Sequence, residues 1–109
     1  MKQYLVILTE DAQADLEELY DYVAAHDAPA KANALLDKLE HVLQSLAQLP
    51  ERGAVTKELR DIGIREYREV YYKPYRVIYR VLDNTVAVYL VVDGRRNMQT
   101  LLTRRLLRG

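Results

Sequence analysis

Cysteine, phenylalanine and tryptophan are absent from this 109-residue chain, and it has one serine and two histidines. Without cysteine there are no disulfides, no thiolate nucleophile and no cysteine-based zinc site. His26 and His41 sit in helical surroundings on separate segments, which marks them as surface or partly buried helix residues rather than a metal pair. No metal and no cofactor is expected. Ser45, the only serine, falls inside a helical stretch, which argues against a Ser-His-Asp hydrolase. No glycine-rich loop follows a strand at phosphate-binding spacing. No apolar run approaches the ~20 residues of a membrane span. The stretch Gln3 to Leu8, behind Lys2, is too short for a secretory signal. A cytoplasmic protein with no membrane partner is the expectation. Repeats, linkers and low-complexity segments are missing too, so residues 1–109 read as a single domain with one ordinary core.

What is present is an apolar half, 50% of residues, enough to exclude compositional disorder. The formal net charge of zero hides a split. Residues 1–53 hold 4 Lys+Arg against 10 Asp+Glu, and residues 54–109 hold 12 against 6, giving −6 and +6. The acids Glu10, Asp11, Asp15, Glu17, Glu18 and Asp21 read as a solvated helix face. Ten of the twelve cations in the second half are arginine, which binds carboxylate and phosphate bidentately and points to an anionic partner.

Lys2 to Leu8 reads as a strand, and Thr9 as the cap of a helix running to about Ala25, with Ala12, Leu16, Leu19, Tyr20 and Val23 at helical spacing. Pro29 suits the first turn of a second helix. Its stripe of Ala32, Leu35, Leu36, Leu39, Val42, Leu43 and Leu46 is the strongest periodicity in the chain and predicts the main core. The two helices should form an antiparallel hairpin. From Leu49 to Gly63 the chain reads as loop, with Leu59 and Ile62 as anchors. Strands follow at Arg65 to Tyr72, Tyr75 to Leu82 and Thr85 to Val92, joined by turns at Lys73-Pro74 and Asp83-Asn84. Asn97 then caps a last helix over Met98 to Leu107. The expected class is α+β, in the order β-α-α-β-β-β-α. Counting directions along the chain predicts a four-stranded antiparallel sheet, packed by the N-terminal helix hairpin and followed by a short C-terminal helix. In that sheet the first strand pairs with the last and makes it internal.

Candidate functional residues gather in the last third. Arg65, Arg68, Arg76, Arg80, Arg95 and Arg96 accompany Tyr67, Tyr71, Tyr72, Tyr75, Tyr79 and Tyr89, and arginine beside aromatic rings can face RNA. In a protein without Phe or Trp, Tyr75, Tyr79 and Tyr89 read rather as core and edge residues.

The segments Asp15 to Val23, Leu49-Pro50-Glu51-Arg52-Gly53, Glu58-Leu59, Arg65, Tyr75-Arg76-Val77-Ile78-Tyr79, Gly94-Arg95-Arg96-Asn97 and Leu101-Leu102, in this order, resemble the ParE branch of the RelE/ParE superfamily of bacterial toxins. The likeness covers essentially the whole chain. It implies a RelE-like fold and a toxin of a type II toxin–antitoxin module, held in an oligomeric complex by a small antitoxin whose disordered segment folds around it. The superfamily has two activities. RelE-like members cut mRNA on the ribosome, with arginine and lysine on the phosphate and a C-terminal tyrosine or histidine in acid–base work. Arg76 and Arg96 fall where such members place two arginines, but Leu102 falls where they place the tyrosine, and Asp93-Gly94 offers no histidine. A general acid or base is worth ~10²–10⁴-fold in rate, so this loss argues against nuclease chemistry. ParE-like members instead poison DNA gyrase by binding it. The expectation is therefore a non-enzymatic gyrase inhibitor, with the ribosome-dependent endonuclease as the alternative. The resemblance puts the target-binding candidates at Arg95, Arg96, Arg104, Arg105 and Arg108, the last three read as exposed helix-end charges. Arg65 and Arg76 are the anion candidates. Arg76 and Arg96 are otherwise structural, pairing with acids on the helix hairpin.

Overall fold

The computed structural model describes residues 3–107, so Lys2, in the expected first strand, and Arg108, a target-binding candidate, lie outside the described residues. The elements follow as β1 (Leu5–Leu8), α1 (Glu10–His26), α2 (Pro29–Gln48), β2 (Ala54–Val55), α3 (Lys57–Arg60), β3 (Tyr67–Tyr72), β4 (Tyr75–Leu82), β5 (Thr85–Asp93) and α4 (Met98–Leu106). Thr9 closes β1 and caps α1. Its Oγ1 accepts from Ala12 N at 3.1 Å, and Glu10 and Asp11 in the first turn complement the helix dipole. Pro29 occupies the first turn of α2, where its missing N–H costs nothing. Asn97 caps α4 by accepting from Thr100 N at 3.1 Å.

The α1–α2 hairpin covers one face of the sheet. Leu16, Leu39, Leu43 and Leu46 pack there against Val70, Val77, Tyr79, Val86, Val88 and Val91. Burying one such leucine contributes about 1.5–3 kcal/mol. On the opposite face, α3 and α4 bring Leu59, Met98, Leu101 and Leu102 onto Tyr67, Ile78, Leu90 and Val92. β4 therefore sends Val77 and Tyr79 to the hairpin and Ile78 the other way, the alternation its sequence predicts.

The α+β class, the hairpin and the C-terminal helix agree with the sequence, but the four-stranded antiparallel sheet does not. Among the described residues, five strands lie in the order β1-β5-β4-β3-β2. β1 pairs with β5 as expected and makes it internal, yet the pairing is parallel, from Leu5 opposite Thr85 to Leu8 opposite Val88. The reason is parity. The stretch expected to be loop contains β2, which pairs antiparallel to β3, with Ala54 opposite Glu69 and Val55 opposite Arg68. That extra reversal turns β3, β4 and β5 around relative to β1. The same stretch also forms α3.

Two local features prepare the site. Between β4 and β5 the register steps from Ile78 opposite Leu90 to Tyr79 opposite Val88, so Tyr89 is an extra, bulged residue. At Gly53 an added Cβ would lie 2.4 Å from Glu69 O and 2.7 Å from Tyr79 Oη, so only glycine lets this turn approach β3 and β4.

Candidate functional site

Three arginines of the second half, Arg76, Arg80 and Arg105, are engaged in ion pairs or cation–π contacts inside the fold. Arg76 leaves β4 on the face covered by α3 and α4 and is buried. Its Nη1 and Nη2 donate to both Glu58 carboxylate oxygens, at 2.9 and 2.7 Å, and Nη2 also donates to Glu69 Oε1. Glu58 comes from α3, and Glu69 from the neighbouring strand β3. Tyr71 Oη donates to Glu69 Oε2 at 2.7 Å, and the Tyr71 ring lies 5.8 Å from the guanidinium. The hydrogen bond from Arg76 holds the Glu58 carboxyl below the usual carboxylate range despite its partial burial. Arg76 in turn is pushed above the ordinary guanidinium range by Glu58. The bond to Glu69 raises the Tyr71 phenol. One guanidinium against two carboxylates leaves the cluster net negative, so it repels rather than receives a phosphate. Gly94 completes the nest: a Cβ there would stand 2.6 Å from Arg76 Cδ.

Arg105 is the second engaged arginine. From α4 it reaches around the edge of β5 and meets α1. Its Nη1 and Nη2 donate to Asp15 Oδ1 and Oδ2 at 3.1 and 3.0 Å, and Nη2 also donates to the carbonyl of the bulged Tyr89 at 3.0 Å. Asp15 Oδ2 accepts the Val91 N–H at 3.0 Å. β1 stops at Leu8, opposite Val88, so this ion pair takes over the edge of β5 where the strand partner ends. Two expectations change. Asp15 is not on a solvated face but buried, and Arg105 is only 17% exposed at its side chain rather than a free helix-end charge. Both follow from the bulge, which leaves polar backbone groups that need partners.

The remaining candidate cations Arg65, Arg95, Arg96 and Arg104 lie at the surface. Arg95 is exposed and chelates Asp93 through Nε and Nη2 at 3.0 and 2.6 Å, which holds the Asp93 carboxyl down. Arg65, Arg96 and Arg104 are exposed. Arg96 precedes the α4 cap Asn97, and Arg104 lies in the last turn of that helix. Arg80 lies over the Tyr67 ring at 5.4 Å, and Tyr67 meets Tyr89 edge to face at 5.5 Å. Tyr79 is fully buried, its Oη accepting from Gly53 N at 3.1 Å, and burial raises its phenol. Leu102 is buried in the α4 cluster. His26 stacks on Tyr22 at 4.1 Å and His41 is exposed on α2. Asp15, Glu58 and Glu69 are the ion-pair partners that sequence reasoning missed. Asp15 and Glu58 carried a signal only as members of the Asp15 to Val23 and Glu58-Leu59 segments of the family likeness, and Glu69 carried none.

A groove of about 620 Å³ runs between α1 and α2, with Leu8, Leu16, Leu36 and Leu43 on its floor and Glu17, Asp21 and Glu40 at its rim. A second, of about 400 Å³, lies between α1 and the end of β5, where Leu19, Tyr22 and Tyr75 face Arg95 and Arg96.

The sequence and fold are similar to those of known proteins. Residues 6–98 fit the family described as ParE toxin of type II toxin-antitoxin system, parDE. The chain is 29% identical over 100 residues to toxin ParE3 of Caulobacter vibrioides, covering 92% of this chain and 96% of that one. Among solved structures, the chromosomal ParDE toxin–antitoxin system of P. aeruginosa superposes with a TM-score of 0.70 at 19% identity, over 85% of this chain and 98% of that one. The RelBE2 toxin–antitoxin complex of Mycobacterium tuberculosis gives 0.60 at 24% identity, over 85% and 93%. A free, substituted E. coli RelE gives 0.63 at 17% identity, over 95% and 98%. With the family match covering most of the chain, from β1 to the start of α4, the chain belongs to the ParE toxin family of type II toxin–antitoxin systems.

Proposed function

We propose that this toxin poisons DNA gyrase by binding it, without catalysis of its own, and that a cognate antitoxin holds it inactive in the cytoplasm. The observation that carries the reading is the state of Arg76. Its guanidinium is shared between Glu58 and Glu69, so the arginine that the RelE-like alternative needs on a phosphate is already engaged by carboxylates. Leu102, where that alternative needs a proton-transfer group, is packed among Leu59, Leu90 and Leu101. A lost general acid or base costs ~10²–10⁴-fold. The exposed cations Arg65, Arg95, Arg96 and Arg104 give the target a basic surface on the single domain, and Arg108 extends it in sequence.

The antitoxin reading draws on relatives solved as toxin–antitoxin systems and on the +6 charge of residues 54–109. An acidic, partly apolar segment that orders on binding would neutralise that half, and the rim part of such a contact weakens with salt.

The test adds purified protein separately to a gyrase supercoiling and cleavage assay and to a coupled translation reaction read by primer extension. Stalled gyrase–DNA cleavage complexes are expected, with no codon-specific mRNA cuts. Such cuts without a gyrase effect would reverse the assignment and make Arg96 the first residue to substitute.

A further inference from the structure

We propose that Arg80 is an anchor for gyrase: its guanidinium takes an Asp or Glu carboxylate that a folded surface of the target presents among apolar side chains. This rests on the gyrase reading above and names a contact for it.

Among the described residues, the other arginines of the second half that are not exposed, Arg68, Arg76 and Arg105, all have oxygen acceptors. Arg68 donates to the carbonyls of Glu51 and Gly53, Arg76 holds Glu58 and Glu69, and Arg105 holds Asp15. Arg80 has no such acceptor. It leaves β4, the middle strand, on the same face as Ile78, and its guanidinium lies over the Tyr67 ring. Its Nε is buried and donates to nothing among the described residues. The residues directly opposite it are Tyr67 on β3 and Ala87 on β5, neither of them an acid. Glu69, two positions beyond Tyr67, is already taken by Arg76 and Tyr71.

A buried donor without an acceptor costs stability. Methionine, unbranched and apolar, would fill much of the same space without that cost. An arginine kept there calls for an acceptor from outside the chain. The surroundings describe it. α4 covers Ile78, Leu90 and Val92, but Leu82, the next residue on the Arg80 face of β4, is exposed. Ile7, opposite Ala87, is exposed as well. A guanidinium set on a tyrosine and ringed by apolar side chains has the make-up of the centre of a protein–protein contact, where Arg and Tyr are enriched.

Other occupants fit less well. Nucleic acid is held by many cations at once, whereas the strand positions around Arg80 are Ile78, Leu82, Tyr67 and Ala87. Tyr67 is buried beneath Arg80 and offers no ring face on which a base could stack. A second copy would meet Arg80 with Arg80 in the self-complementary contact of a dimer. Arg80 is also fixed, by the central strand and by Tyr67. It therefore suits a carboxylate equally fixed on a folded target better than one on a segment that orders only on binding.

The test measures gyrase–DNA cleavage complexes against toxin concentration for the full chain and for its Arg80→Met and Arg80→Lys variants. Arg80→Met should need at least about tenfold more toxin for the same level of complexes. Its melting temperature should equal or exceed the parent's, because the orphaned donor is gone. Arg80→Lys should recover part of the loss, since an ammonium restores the charge without the bidentate fork. The loss should be nearly the same at low and high salt, as befits a pair shielded from solvent. A methionine variant that inhibits like the parent would overturn the anchor and leave the gyrase reading standing. A parent without effect on gyrase would overturn both. A lower melting temperature for Arg80→Met would make the guanidinium a structural group and overturn the anchor too. So would an Arg80→Met loss that appears instead in binding to the antitoxin, to bare DNA or to a second copy, each naming that partner as the source of the acceptor.

Discussion

On the hairpin side of the sheet, Leu16, Leu39, Leu43 and Leu46 close over Val77, Tyr79, Val86 and Val88 by apolar contact. On the other side a smaller apolar cluster around Leu59, Leu90 and Leu102 has a buried ion network, Arg76 with Glu58 and Glu69, set beside it. The hairpin has two long helices to offer, whereas α3 is four residues long and α4 nine. The short elements supply less apolar area, and charge-assisted hydrogen bonds fix what packing alone would leave loose. Such a network is a poor source of net stability but a costly thing to break.

Breaking it is therefore the sharpest test of the difference. Arg76→Ala leaves two carboxylates facing each other without a cation and should cost about 3–5 kcal/mol. Arg76→Lys should recover only part of this, because an ammonium cannot bridge Glu58 bidentately. Denaturant unfolding of both variants gives the answer, and a loss under about 1 kcal/mol for the alanine would mean the acids are solvated and the contrast between the faces is not real.

On the hairpin side the comparable change is Leu39→Ala, with an expected loss of about 2–5 kcal/mol from transfer and cavity terms at a fully buried position. If Leu39→Ala proved milder than the exposed Leu49→Ala, the α2 stripe would not be the main core. This half was the most legible in the sequence. The seven apolar positions from Ala32 to Leu46 carry helical spacing in one continuous segment, and β4 runs over the predicted residues, Tyr75–Leu82. The other half was less so for physical reasons. β2 is only Ala54–Val55 and has no periodicity to announce it, yet it inverts the direction of three strands and makes the β1–β5 pairing parallel. Arg76 finds Glu58 18 residues away through a single turn of helix, a partnership no spacing rule encodes. Asp15 looked like one acid among six on α1, and only the bulge at Tyr89 explains its burial.

Asp15 links the two faces, since its carboxylate joins α1 to α4 through Arg105 and to β5 through Val91 N. Asp15→Ala orphans a guanidinium and a backbone N–H together and should cost about 1–3 kcal/mol. The loosening should fall on α4 first, visible as faster amide exchange from Leu101 to Leu106. Equal loosening of α2 would show that the faces are not separable units.

Acid should also distinguish the faces. Glu58 has its folded-state pKa lowered by Arg76, so its contribution is present above the unfolded carboxyl value of about 4.5 and is lost as pH falls through the folded one. Stability should decline below about pH 4.5 in the parent, and the decline should flatten in Glu58→Gln. A parallel acid profile in the two proteins would place the acid sensitivity elsewhere.

The smallest effect is expected where the basic surface is free of the fold. Reversing the three helix-end arginines together would not isolate target binding, because Arg105 holds Asp15 and the Tyr89 carbonyl. Arg96→Glu with Arg104→Glu is the cleaner pair, both side chains being exposed and neither tied to a carboxylate. Such exposed positions change stability by no more than about 0.5 kcal/mol. Gyrase inhibition by the pair should nevertheless fall, and more steeply at low salt, where exposed charges act over a longer range. Full inhibition from a pair that melts with the parent would remove this surface from target recognition. It would turn the search toward the exposed apolar residues of the sheet, Leu5, Ile7, Tyr71, Tyr72 and Leu82 among them.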